Sequence, residues 1–308
     1  MKRKTIKGIA VTAVLAVFLM MAAGSGSSDS GSQKTIAEDT DSKAAEAASE
    51  ENKEETAEKS GLPTIEEQVL IDQDGVKIAD MGLEEDTIFG TGLKLLIENS
   101  TDKDLGIGCD ALIVNNYMIS DLFSAQVAAG KSSNETMNLS ASALKAAGID
   151  NIGQIEIYFK SYDSSSYETI TKFDKVVIQT SDFPNMDTSP ADEGKELVNQ
   201  DGLRIVGKYV DEDSFWGAGI LLYLENNTGK TISVTCSDVS INGFMINPIF
   251  ASTLYDGKMA VDELTIFSSD LEENNITSVD EVELKFSVMD NDSYQSLFKT
   301  DSISFTTK

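Results

Sequence analysis

Carboxylates are the one abundant kind of side chain in this sequence with chemistry to offer. The chain of 308 residues holds 52 Asp and Glu against 24 Lys and Arg, and no histidine. Four acidic clusters stand out. Glu84-Glu85-Asp86 and Asp211-Glu212-Asp213 each lie just ahead of an aromatic, Phe89 and Trp216. Asp163-Ser-Ser-Ser-Tyr167 and Asp290-Asn291-Asp292-Ser293-Tyr294 have the composition of oxygen-rich loops. Such loops on a β-sandwich can hold Ca²⁺, which takes six to eight oxygens. Asp211, Asp213, Asp290 and Asp292 are therefore the weak metal candidates. None sits in an EF-hand pattern, and acids on successive strand residues splay to opposite faces. Solvated loops are the plainer reading, and no tight metal site and no cofactor are expected. Paired carboxylates could also serve glycosidic hydrolysis, which needs two at a set separation across a cleft. That reading ranks last.

The missing histidine excludes Ser-His-Asp and Cys-His nucleophilic schemes and histidine-ligated metals. There is no CxxC, no phosphate-binding glycine loop and no dinucleotide fingerprint. Cys109 and Cys236 are the two cysteines. Both fall on the inward face of a strand, so they read as buried thiols acting as small hydrophobes rather than as one disulfide. Tyr117 and Phe244 follow hairpin turns. Each is a candidate binding aromatic, or a ring folded back on the sandwich edge.

Those residues are positioned by a scaffold that the sequence writes twice. Residues 73–180 read again at 200–307, at a constant offset of 127 without a gap. Gln73-Asp74-Gly75 returns as Gln200-Asp201-Gly202, and Gly90-x-Gly92 as Gly217-x-Gly219. Glu98-Asn99-x-Thr101-x-Lys103 returns as Glu225-Asn226-x-Thr228-x-Lys230. Cys109, Met118, Lys131, Phe159, Asp163 and Tyr167 also have identical partners. A period this long means two copies of a domain rather than a solenoid of small units.

Within each copy the apolar pattern has period two. Leu93, Leu95 and Ile97 alternate with Lys94, Leu96 and Glu98; Ile220, Leu222 and Leu224 alternate with Leu221, Tyr223 and Glu225. Each run predicts a strand with one buried face. Asn242-Gly243 and Asp256-Gly257 are turn signals, matched in copy one by Asn115-Asn116 and Gly130. Gly90, Gly92, Gly217 and Gly219 precede strands and read as bends or bulges. One short helix per copy is expected, Ser142–Gly148 with Ser142 as its cap, and Ser269–Asn275. Seven or eight short strands in about 115 residues suit an all-β fold, two tandem immunoglobulin-like antiparallel sandwiches.

The ends of the chain carry different signals. Residues 1–24 have the basic start, apolar middle and small-residue end of a signal peptide. The apolar run is shorter than the roughly 20 residues of a spanning helix. Residues 25–65 form an acidic linker with almost no large apolar residue, which predicts disorder. The domains are then 66–181 and 196–308, joined by a second linker at 182–195. Removing Lys2, Arg3, Lys4 and Lys7 with the signal peptide takes the formal charge from −28 to −32. Charge of that sign argues against nucleic acid and anionic membrane surfaces as partners. Any membrane contact falls to an uncleaved N-terminal segment.

Three stretches of copy one are similar to a known group: Leu95-Leu96-Ile97-Glu98-Asn99-Ser100-Thr101-Asp102-Lys103-Asp104-Leu105, Val114-Asn115-Asn116-Tyr117-Met118-Ile119 and Val127-Ala128-Ala129-Gly130-Lys131. They resemble the extracytoplasmic, lipoprotein-type immunoglobulin-like domains of unknown function of Gram-positive bacteria. The resemblance implies an extracytoplasmic, secreted or envelope-associated protein and brings no functional residue. Ser25 or Gly24 stands where a lipoprotein carries its lipidated cysteine. The expected function is binding or adhesion without catalysis. Its partner would be an envelope or extracellular protein or glycan, with a small-ligand or Ca²⁺-dependent module as the alternative.

Overall fold

A computed structural model of the chain describes residues 33–35, 61–86, 90–119 and 123–307, all within one compact unit, Ser32–Lys308. The expected signal peptide and most of the first linker lie outside the described residues. Copy one comprises β2 (Gln68–Gln73), β3 (Val76–Asp86), β4 (Gly90–Asn99), β5 (Leu105–Val114), β6 (Tyr117–Ile119), β7 (Ser124–Val127), β8 (Lys131–Ser140), α1 (Ala141–Ala146), β9 (Gln154–Asp163), β10 (Thr169–Lys172) and β11 (Val176–Gln179). Copy two repeats the order 127 residues on. It has β12 (Lys195–Gln200), β13 (Leu203–Ser214), β14 (Gly217–Asn226), β15 (Ile232–Ile241), β16 (Phe244–Met245), β17 (Ala251–Leu254), β18 (Lys258–Phe267), α2 (Ser268–Glu273), β19 (Glu281–Asp290), β20 (Ser296–Lys299) and β21 (Ile303–Thr306).

Each copy is an antiparallel sandwich. In copy one β2-β3-β4-β8 face the sheet built on β5 and β9, with β6, β7, β10 and β11 at its margins. In copy two β12-β13-β14-β18 face the sheet built on β15 and β19. The immunoglobulin-like fold class read from strand spacing holds. One core gathers Ile78, Leu93, Leu95, Ile97, Ile107 and Phe159; the other gathers Ile205, Ile220, Leu222, Leu224, Val234 and Phe286.

The repeated polar motif proves to be a loop clamp. Asn99 is buried, and its amide donates to the carbonyls of Lys103 (2.8 Å) and Val127 (2.9 Å). Its oxygen accepts from the backbone N–H (3.0 Å) and hydroxyl (2.7 Å) of Thr101. Asn226 does the same with Lys230, Leu254 and Thr228. A buried amide with all its capacity used ties strand β4 or β14 to the loop beyond it. Asn115 and Asn242 form a second repeated clamp, each accepting from two successive backbone N–H groups ahead of β9 or β19. Both Asn242 and Gly243 have positive φ, as the turn signal requires.

Four details depart from the sequence reading. The cap of α1 is Ser140, whose hydroxyl accepts from Ala143 N–H, and not Ser142. Its counterpart in copy two is Phe267, so α2 has no side-chain cap. Cys109 and Cys236 are half-buried thiols with no bond between them. Register shifts at Cys109/Ala111 and Ser237/Ser240 break the inward alternation beside them, so each sulfur packs at the rim of its core. The glycine pairs lie inside β4 and β14. A Cβ on Gly217 would meet the Ile266 carbonyl oxygen at 2.3 Å, and its φ is +146°, so close strand approach demands glycine there.

Two further features lie outside the tandem pattern. Residues Gln33–Thr35, in the expected linker, form β1 and pair antiparallel with Tyr209–Asp211 of β13. The copies are also joined. β6 of copy one pairs in parallel with β18 of copy two, Met259 opposite Tyr117 and Ala260 opposite Met118. The copies do not interleave, yet one eleven-stranded sheet runs through both.

Candidate functional site

Tyr117, one of the two candidate aromatics, is spent on the junction. It is 2 % exposed. Its hydroxyl donates to the Ser189 carbonyl (3.2 Å) and accepts from Ala191 N–H (2.7 Å). Val206, Tyr223 and Met259 of copy two belong to the core cluster of copy one, and Met118 packs against the core of copy two. Residues 182–194 thus act as a strap across the junction. Arg204 bonds Asp192 (2.7 Å) and Glu196 (2.9 Å) and lies 5.8 Å over the Tyr223 ring.

An ion cluster around the buried Glu156 pins the same seam. Glu156 of β9 bonds Lys258 (2.7 Å) across the junction and Lys175 (2.9 Å) within its own copy. Burial alone would raise the Glu156 carboxyl. The two lysine bonds outweigh it and hold the group below its usual range. Lys258 also donates to Asn116 Oδ1 (2.8 Å), and the Asn116 amide donates to the Gly257 carbonyl (3.0 Å). Tyr158 and Tyr255 meet across the seam with ring centroids 4.6 Å apart.

Phe244, the other candidate aromatic, has no such use. It is 47 % exposed and the adjacent Met245 is 67 % exposed. They form β16 at the free edge of the outer sheet of copy two.

The acidic candidates fall on different sheets. Asp211 and Asp213 lie on β13, where Asp213 N–H donates to Asp211 Oδ1 (3.1 Å). Asp290 ends β19, and Asp292 lies in the following turn. One Asp290 oxygen accepts from the N–H groups of Asp292 and Ser293 (3.0 Å each), and the other accepts from Lys230 (2.7 Å). Lys230 first, then the Ser293 N–H, hold its carboxyl down to about 2. Asp163 caps the same turn of copy one through Ser165 and Ser166. Asp163 and Asp290, at matching positions in the two copies, are thus turn caps. Among the described residues no three His, Cys, Asp or Glu gather as a metal cluster. A groove of about 690 Å³ beside β11 has Glu66 and Glu67 as its ionisable lining, adjacent in an extended segment that turns them apart.

The sequence reading noted Trp216 only as a neighbour of acids. The structure places it at the tip of the β13–β14 hairpin with Phe215. Phe215 is 87 % exposed and Trp216 51 %, the rings perpendicular with centroids 4.9 Å apart. Phe267 supports the indole edge-on at 6.5 Å, and the Trp216 carbonyl accepts from Ser268 N–H (2.8 Å). Glu263 accepts from Ser214 and Thr265, and Glu212 accepts from Val279 N–H, so the tip is braced from below. Asp213 stays exposed beside it. The equivalent tip of copy one, 87–89, lies outside the described residues.

No protein-family model matches the chain, and no curated protein matches it. Among solved structures, one similar chain is a protein of unknown function from Porphyromonas gingivalis W83, 9 % identical, with a TM-score of 0.23. The match covers 75 % of this chain and 97 % of that one. Another is the Salmonella enterica SafA pilin in complex with the SafB chaperone, 10 % identical, with a TM-score of 0.21. It covers 70 % of this chain and 88 % of that one.

Proposed function

We propose that the chain is an exported or envelope-tethered binding protein without catalytic activity, and that the hairpin tip of copy two is its contact surface. The observation that carries this reading is the exposed Phe215–Trp216 pair on a braced hairpin. Holding two large rings in water forgoes roughly 1.5–3 kcal/mol each relative to burial. Nothing in either core needs them there. Rings of this kind are anchors when a partner covers them. The exposed carboxylate of Asp213 adds an acceptor for hydroxyl or cationic groups, as a glycan or a basic protein segment presents.

Trp216 is the single tryptophan of the chain, so its fluorescence reports on this tip alone. Titration of the protein with solubilised peptidoglycan fragments and with detergent-extracted envelope protein should shift or quench the emission in a saturable way. Phe215→Ala should weaken that binding by about tenfold or more while leaving the circular dichroism unchanged. Binding that persists with unaltered Trp216 emission would remove the tip from the function.

A further inference from the structure

We propose that the chain assembles head to tail with further copies of itself, β16 of one molecule adding to the free edge of β8 in the next. The template is the junction inside the chain. There β6 of copy one adds in parallel to the start of β18. The repeat supplies both surfaces once more, at the two ends of the tandem, with no other described strand paired to them. β16 is the counterpart of β6 and ends its sheet. β8 is the counterpart of β18 and, among the described strands, pairs only with β4. Phe244 and Met245 are therefore exposed where Tyr117 is buried and Met118 half-buried. An unpaired edge beside apolar side chains is a ready template for another strand.

The chemistry of the seam is retained at these ends. Lys258 reaches Glu156 at the internal junction; Lys131 of β8 and Glu283 of β19 stand at the same two positions, both exposed. Met259 N–H donates to the Asn116 carbonyl (3.1 Å). The matching pair is Ser132 N–H and the Gly243 carbonyl, which needs no particular side chain. The receiving face also retains apolar character. Leu96 replaces Tyr223, Ala79 replaces Val206, and exposed Met81 replaces Lys208. Phe244 lacks the hydroxyl of Tyr117 and so needs no partner for one. What is lost is Asn116, replaced by Gly243, and the Tyr158–Tyr255 contact, replaced by Lys285 and Ala128. The contact is thus a weaker version of the internal one. Because it joins two different surfaces, it extends beyond a two-fold dimer, into an open filament or a larger ring. It uses none of the Phe215–Trp216 tip and stands apart from the proposed function.

Sedimentation velocity of the full chain across a concentration series, at about 0.15 M salt to screen the net charge, tests this. Species that lengthen with concentration are expected. Glu283→Lys alone, Lys131→Glu alone and Met245→Lys alone should each weaken association by about tenfold or more. The double charge exchange, Lys131→Glu with Glu283→Lys, should restore it to near the starting value. All three positions are exposed, and circular dichroism of each variant checks that it is folded. Trp216→Ala should leave assembly unchanged. A monomer at every concentration, a dimer that does not grow, or single reversals without effect would overturn the proposal. So would a double exchange that fails to restore.

Discussion

Strands β4 and β14 occupy the same place in the two copies and have opposite outer faces. Both point three aliphatic side chains inward. On the outside, β4 carries Lys94, Leu96 and Glu98, with Lys94 exposed and Leu96 half-buried. β14 carries Leu221, Tyr223 and Glu225, with Leu221 and Tyr223 buried. The period-two reading gave each strand one buried face. That holds for β4 and is corrected for β14, whose second face docks on copy one. The fold of a copy is thus set by its inner face. What it joins is set by the outer one, and a handful of substitutions there separates a middle domain face from a terminal one.

The sharpest way to break this comparison is to truncate both strands at the same position. Tyr223→Ala should destabilise the protein by about 3–5 kcal/mol, since it empties a ring-sized space in the seam. Leu96→Ala should cost about 1 kcal/mol or less, being half-exposed. Denaturant unfolding followed by circular dichroism measures both. Equal losses would mean that the seam contributes nothing beyond either sandwich.

The lysine pair gives the next contrast. Lys258→Met leaves buried Glu156 with Lys175 as its one cation, beside the Gln154 amide, and should cost about 1–3 kcal/mol, whereas Lys131→Met should change stability by less than about 0.5 kcal/mol. The same group sets an acid limb. The folded pKa of Glu156 is lowered, so its stabilisation is full above the unfolded carboxyl value near 4.3 and is lost as pH falls through the lower folded value. Thermal melts between about pH 5 and 2 should therefore show a shallower acid loss for Lys258→Met than for the natural chain. An unchanged acid limb would place the coupling elsewhere.

The smallest effect runs in the other direction. Asp80 of β3 is fully buried; the Gln68 side chain and the Gln68 and Gly82 backbone N–H groups lie near its oxygens, but none makes a well-formed hydrogen bond, and copy two has Gly207 at that place. Burial pushes its carboxyl upward. A raised value means the folded state holds the proton longer, so the strain grows as pH rises through the shifted value. Asp80→Asn should stabilise the protein by about 1 kcal/mol at neutral pH and by little at low pH, read from the same melts. A destabilised variant would show that the carboxylate has a partner in solution.

Much of the fold was legible because the repeat checks itself. Core positions, hairpin turns and strand order recur at one offset, and each is a local pattern. The short helices were legible, but the Ser140 cap was not, since Ser140 and Ser142, two serines among small residues, offer the same signal. The seam was not legible from spacing. Yet Tyr223 and Leu221 on an outward face were a readable anomaly, and so was Tyr117 against Phe244. The acidic candidates misdirected attention because their number says nothing about what each carboxylate bonds. Asp290 is taken up by Lys230 and two backbone N–H groups. Phe215 and Trp216 carried the candidate surface instead, and a lone tryptophan between glycine and a run of acids was the signal that could have found them.

The three-residue strand β1 has a mechanical consequence. It comes from ahead of both domains but pairs with copy two. A pull on the chain N-terminal to Gln33 therefore loads the second domain before the first. With three residue pairs holding it, β1 is the weakest link in that load path and yields before either sandwich is strained. Once it peels away, the tension passes to β2, the first strand of copy one. The strand works as a breakable stitch, one that can part under force without unfolding a domain.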